Sequence, residues 1–322
     1  MKIPHWINIA QLPESLHDIQ DIMNYLSELR FFWVRLEFDF LHPIDITYTQ
    51  ELVSALHTYR IIGTLLSLTP GTLDSLCCPK KIYSAWHSYK YDQFMEFAHT
   101  TINQFRAISV WQVANEWNTR RFRENPDPVR YYTLYQTIAK SFPDRHIIAG
   151  AIFENFSWSE KIGMYHSLKT LFTKKVIPDL VDVSLHPYDD GCYVSCVASS
   201  EYSHRVITNL KRMQDMIALY SEKVALWVTE FISRKRTRLS PEQTARTYLD
   251  IFQYCATQDI PFFIRNLYDF PNTRHHRLNP ERYFLIGDDG TRNPLYYELQ
   301  KKLVVDNITQ QRSLTNSSYA EA

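Results

Sequence analysis

Glycine is scarce in this chain, with 7 in 322 residues. Turns that need a positive φ must therefore lean on residues such as Asn and Asp, which tolerate it best after glycine. No G-x-G-x-x-G turn follows any apolar run, so a dinucleotide-binding sheet has no fingerprint here. Phosphate loops, H-E-x-x-H helices and G-x-S-x-G elbows are equally missing from the sequence. No apolar run approaches the ~18 residues of a membrane span, and membrane insertion is not expected. The start, MKIPHWINIAQL, has no long apolar stretch of the secretory type, which leads to the expectation of a cytoplasmic protein. Lys and Arg together number 35, and so do Asp and Glu, so there is no net charge. That balance argues against a nucleic-acid or membrane-surface protein, both of which need a basic face. Cysteine is low and odd at 5; neither Cys77-Cys78 nor Cys192 with Cys196 makes a metal or redox spacing. The cysteines are read as free thiols. The adjacent His275 and His276 lack partner ligands nearby. No metal and no organic cofactor is expected.

What is present is aromatic and apolar. Apolar residues make up 45% of the chain and aromatics 14%, led by 21 Tyr and 18 Phe. Such a composition suits stacking on flat ligands such as sugar rings, or simply an aromatic-rich core. Eight short runs read as strands: His5–Leu12, Trp33–Phe40, Ile61–Leu68, Ser109–Ala114, His146–Ile152, Leu180–His186, Val224–Glu230 and Pro261–Leu267. They are mostly apolar on both faces, the mark of a parallel sheet covered on both sides. Amphipathic segments lie between them. PESLHDIQDIMNYLSELR gathers Leu16, Ile19, Ile22, Met23 and Leu26 on one side. SPEQTARTYLDIFQYCATQ opens on Ser240, Pro241 and Glu242, a helix start. Eight β-then-α units in one chain predict a single-domain TIM (β/α)8 barrel over residues 1–308. Residues 309–322, TQQRSLTNSSYAEA, read as a polar, disordered tail.

In such a barrel, chemistry gathers at the C-terminal ends of the strands. Strand two, WVRLEFDF, puts Arg35, Glu37 and Asp39 on one side of the pleat. Three charges on a buried face are costly unless paired. Strand four ends Gln112, Ala114, Asn115, Glu116, and strand six ends on His186 and Tyr188. Strand seven places Glu230 after Leu226 and Val228, and strand eight brings Arg265, Asn266 and Tyr268 to its end. Glu116 and Glu230 would then face each other across the mouth. Two carboxylates there suit glycoside hydrolysis, where one carries a proton and the other stays ionised. Asn115 could donate to a sugar 2-hydroxyl, Tyr188 to the nucleophile, and Arg35 could keep that nucleophile charged.

These segments resemble glycoside hydrolase clan A, and family 39 within it. FFWVRLEFDF is similar to the family's strand two, with Arg35. VWQVANEWN is similar to its W-x-x-x-N-E-P-N segment, with Asn115, Glu116 and Asn118. VDVSLHPY matches the strand-six pattern with His186 and Tyr188, and LWVTEF the strand-seven pattern with Glu230. SPEQTARTYLDIF and FLIGDDGTRNPLYYEL are looser matches, so the likeness runs from Trp33 to Leu299. The resemblance implies a retaining enzyme with Glu116 as acid/base and Glu230 as nucleophile, and a carbohydrate as substrate. It departs from the pattern at Trp117, where the family has Pro, and at Asn266 and Tyr268, where many members present a Trp. The accessory β-sandwich of the xylosidases has no counterpart, which favours the single-barrel endoglycosidase type. Trp6, Trp33, Trp117, Trp158 and Tyr268 are the aromatic candidates for sugar stacking. The alternatives are a carbohydrate-binding barrel without turnover and a metal-dependent barrel isomerase or lyase. Carboxylates about 5–5.5 Å apart mark retention, and about 6.5–9.5 Å inversion.

Overall fold

The computed structural model describes residues 6–9, 15–40, 46–66, 88–118, 128–153, 169, 182–187, 199–231, 239–265, 267, 285–286 and 290–301. Eight parallel strands close into a barrel in chain order. They are β1 (Trp6–Ile9), β2 (Trp33–Asp39), β3 (Arg60–Leu66), β4 (Val110–Val113), β5 (His146–Phe153), β6 (Asp182–His186), β7 (Ala225–Phe231) and β8 (Phe262–Ile264). Each overlaps one run expected from sequence. The barrel shuts where β1 lies beside β8, with Trp6 opposite Phe263 and Ile7 opposite Ile264. Helices Leu16–Leu29, Ile46–Ala55, Ser88–Gln104, Pro128–Ser141, Ser199–Tyr220 and Pro241–Thr257 follow β1, β2, β3, β4, β6 and β7. Residues 294–301 are helical after β8. Among the described residues, no helix is long and apolar enough to cross a membrane.

The alternation of strand side chains splits the core in two. Leu65, Val113, Leu226 and Val228 point outward and join helix residues such as Ile102 and Leu210 in the large core. Ile62, Val110, Ile148, Trp227 and Phe263 point inward, with Trp33 beside them, and fill the barrel. Gly63 is glycine because Trp111 lies against it: a Cβ there would sit 2.4 Å from the ring. The helix starts are capped as the sequence implied. Ser240 Oγ accepts from Gln243 N at 3.2 Å while Gln243 Oε1 accepts from Ser240 N at 2.8 Å. Helix Leu16–Leu29 buries Ile19, Ile22, Leu26 and Leu29. Leu16, expected on that face, is exposed. It is the first helical residue, just after the Ser15 cap, and the core begins one turn further in.

The last helix is tied to the first. Arg292 Nη2 bonds Glu28 at 2.5 and 2.7 Å, and Tyr296 donates its hydroxyl to the same carboxylate at 2.6 Å. Burial and the nearby Glu28 charge push the Tyr296 phenol well up, so it remains a donor. Cys255 is a buried free thiol, pushed well up by burial. The other cysteines, and His275 with His276, lie outside the described residues.

At the foot of the barrel, the N-terminal ends of the strands, Asp182 opens β6. Its carboxylate accepts from Ala225 N at 3.0 Å and from Trp227 Nε1 at 2.9 Å, and His146 Nε2 lies 2.6 Å away. Trp33 meets the Trp227 ring edge to face at 6.0 Å, and the Arg60 guanidinium covers it at 5.3 Å. Trp33 was a sugar-stacking candidate, and the structure corrects this: it opens β2, at the end of the barrel away from the mouth, and packs.

Candidate active site

The Glu116 side of the mouth is built by backbone strain and packing. β4 stops at Val113 because the chain leaves the extended region there. Ala114 has φ 67° and Glu116 has φ 44°. Left-handed geometry at a residue with a Cβ costs about 1–3 kcal/mol, and it persists only where surroundings impose it. Those surroundings are identifiable. β5 shifts register against β6 between Ala149 and Ile152, so its backbone bulges. Gly150 in that bulge presses on the end of β4, where a Cβ would lie 2.0 Å from Val113 O and 2.5 Å from Ala114 O. The Tyr131 hydroxyl donates to Val113 O at 3.0 Å and accepts from Gly150 N. Burial pushes that phenol well above its ordinary range, so it is neutral and can do both. Gln112 Nε2 holds Ala114 O at 3.1 Å, and Ala114 N holds Leu65 O at 3.0 Å.

Trp117 belongs to this brace. It is 1% exposed and stacks on Tyr131, ring centroids 4.3 Å apart and planes 2° apart. As a platform for a sugar it is therefore corrected: both its burial and its stacking partner deny it a free face. It stiffens the segment that carries Glu116. The orientation of Glu116 also differs from the strand-parity argument. Glu116 is beyond the strand, and the two left-handed residues aim it. Its carboxylate oxygen Oε1 meets His186 Nδ1 at 2.9 Å. His186 closes β6 fully buried, and Thr229 Oγ1 lies 3.3 Å from its Nε2. With Glu116 ionised, Nδ1–H donates to it and Nε2 accepts from the threonine hydroxyl.

The Glu230 side is built differently. Strict alternation along β7 would send Glu230 outward with Leu226 and Val228. Instead Val228 pairs with Phe262 and Phe231 with Ile264, three residues of β7 spanning two of β8. The extra residue reverses the alternation and turns Glu230 into the mouth. There Arg265 Nη1 donates to Glu230 Oε1 at 2.6 Å, and Arg35 Nη1 lies 3.8 Å from Oε2. Arg35 is fully buried; its Nη1 also bonds Glu37 at 2.5 Å and its Nη2 bonds Asn115 Oδ1 at 3.0 Å. Of the three charges expected on one face of β2, Arg35 and Glu37 pair, and through Asn115 Arg35 links β2 to the Glu116 segment.

The structure brings together Glu116, Glu230, Arg35, Asn115 and His186, with Trp117 behind them. Tyr188, Asn266, Tyr268 and Trp158 lie outside the described residues, as does the Trp6 side chain. Arg265 and Thr229 are the partners that sequence reasoning did not assign. Arg265 had a visible signal: it follows the apolar Phe262–Ile264 at the C-terminal end of β8. One atom each from Glu116, His186 and Glu230 lie within 4.8 Å of one another, close enough to hold a cation. Two guanidinium groups already face Glu230, so a cation there would sit against positive charge.

Eight parallel strands closed in chain order, with helices between them, place the chain in the architectural class of TIM (β/α)8 barrels. No described protein family matches the chain by sequence, and no curated protein does. Solved structures share its fold. A family 39 glycoside hydrolase from Bacteroides cellulosilyticus WH2 superposes with a TM-score of 0.63 at 13% identity, over 92% of this chain and 63% of that one. A monomeric β-xylosidase from Caulobacter crescentus CB15 gives 0.63 at 14% identity, over 92% and 67%. A broad-specificity endoglucanase from Clostridium longisporum gives 0.63 at 12% identity, over 94% and 95%. The chain spans under two thirds of the first of these. The likeness is one of fold.

Proposed function

We propose that this barrel is a retaining glycoside hydrolase, with Glu116 as acid/base and Glu230 as nucleophile. The observation that carries the reading is the convergence of the two carboxylates from β4 and β7, with an oxygen of each inside the same 4.8 Å cluster. One oxygen of each within 4.8 Å supports a closely set pair of the retaining type over one held about 6.5–9.5 Å apart to admit a water. The fold neighbours act in the same direction as support: they are a xylosidase, an endoglucanase and a family 39 hydrolase.

In the first step Glu230 attacks the anomeric carbon while Glu116 gives its proton to the departing glycosidic oxygen. In the second, Glu116 takes a proton from water, which displaces Glu230 and restores the carboxylate. The Arg35 charge favours the ionised form of Glu230 between turnovers. Arg35 also fixes the Asn115 amide by its oxygen, which leaves the NH2 end to meet a sugar hydroxyl. His186 and Thr229 hold the Glu116 carboxyl in one orientation, a precondition for proton transfer to a fixed point.

The test is digestion of β-linked gluco-, manno- and xylo-oligosaccharides, with the first-formed product anomer read by NMR. Retention of configuration is the expected outcome. An inverted product, or full activity in Glu230→Gln, would sink the mechanism. Binding of these sugars without any cleavage would point to a carbohydrate-binding barrel.

A further inference from the structure

The two cations on Glu230 are not equivalent. Arg35 is fully buried and shared among Glu37, Asn115 and Glu230, and its distance to the Glu230 carboxylate is 3.8 Å. Arg265 makes the close contact, 2.6 Å to Oε1, from a side chain 28% exposed. Its backbone is fastened to the same place: Arg265 N donates to Phe231 O at 3.0 Å, one residue past Glu230. β8 is therefore tied to the end of β7 at two points, main chain to main chain and guanidinium to carboxylate. This tie sits on the bulge that turns Glu230 inward.

We propose that Arg265 is a positioning residue for Glu230: it fixes the rotation of the carboxylate by its Oε1 and sets Oε2 as the oxygen that attacks. For its kinetic consequence the inference rests on the glycosidase reading above. The charge-assisted bond to Arg265 is strongest when Glu230 is a carboxylate and weakens when it is a glycosyl ester. Arg265 therefore favours the step in which the C1–Oε2 bond breaks, its electron pair returns to Glu230, and water adds to C1 with its proton passing to Glu116. Among the described residues, the groups that face Glu230 include Arg265 just past β8, Arg35 with Glu37 behind it from β2, Glu116 from the end of β4, and His186 from β6. Of these, Glu116 is the one whose charge directly opposes ionisation of Glu230, and Arg265 is the nearest that favours it.

Titration of Glu230 in protein labelled with 13C at the glutamate side-chain carboxyl reads this without any substrate, with the resonance assigned by its loss in Glu230→Gln. In Arg265→Met the midpoint should rise by about one pH unit or more. In Arg265→Lys, which keeps the charge and loses the fork, it should rise less. On aryl glycosides, Arg265→Met should slow release of the glycosyl-enzyme more than its formation, seen as a burst that the unmodified chain lacks. A folded Arg265→Met protein with an unchanged Glu230 midpoint overturns the proposal. If that variant does not fold, an unchanged midpoint in Arg265→Lys together with unchanged burst kinetics does the same. Absence of any glycosidase turnover would instead remove the reading of the previous subsection and leave the titration standing.

Discussion

Two histidine–carboxylate pairs stand at opposite ends of this barrel, and β6 contributes one member to each. At the foot, Asp182 opens β6 and lies 2.6 Å from His146. At the mouth, His186 closes β6 and lies 2.9 Å from Glu116. By distance alone the pairs are alike. Their surroundings separate them. Asp182 also receives the Ala225 amide and the Trp227 indole, so its carboxylate locks β6 to β7. His146 packs its ring edge on Trp227 and is partly open to solvent. Neither residue has unusual backbone geometry. At the mouth, Glu116 is held left-handed between a bulge, a tyrosine and a stacked tryptophan, and a second carboxylate shares its cluster. A histidine beside an acid is thus no sign of function. Strain maintained at a strand's C-terminal end, facing a second acid, is a far sharper one.

The comparison can be broken at either end. The largest effect is expected for Glu230→Gln, with turnover per folded molecule falling by about 10³-fold or more. Glu116→Gln comes next, with a loss of about 10²–10⁴-fold on oligosaccharides. That loss should shrink on aryl glycosides, whose leaving groups depart without a proton. Kinetics on both substrates check it. At the foot the outcome should reverse. Asp182→Ala strips the buried Trp227 indole and the Ala225 amide of their acceptor, and urea unfolding should show a loss of about 3 kcal/mol. Its activity per folded molecule should stay within about twofold, since nothing at Asp182 reaches the site. Equal activity losses for Asp182→Ala and Glu116→Gln would erase the distinction. The smallest effect belongs to His146→Gln, below about 1 kcal/mol by the same urea unfolding, because this imidazole is partly solvated.

Much of the barrel was legible because its signals are local. Apolar runs such as IIGTLL and VDVSLH are read as buried strands from composition alone, and Ser240-Pro241-Glu242 marks a helix start from chemistry confined to one turn. The shared face of Arg35 and Glu37 followed from a period of two. Leu16 and Trp33 misled for a shared reason: residue type and spacing say that a side chain is apolar or aromatic, not which end of an element the core or the site occupies. Trp117 looked like a sugar platform because its partner, Tyr131, comes from another segment, the helix after β4. Arg265 drew no role because its contact with Glu230 joins side chains 35 positions apart.

The sequence by itself determined that eight strands come with helices between them and that Asn115-Glu116 and Thr229-Glu230 fall at strand ends. Those outcomes depend on neighbours within a few residues. Only the closed barrel decided where the two acids point. Glu230 faces the mouth because β7 carries one residue more than β8 between their paired positions. Glu116 does so because the chain turns left-handed at Ala114 and Glu116, where the β5 bulge brings Gly150 against the end of β4. Strand periodicity is a property of one segment, whereas register and close backbone approach are properties of pairs. Pairs exist only once the eighth strand has met the first.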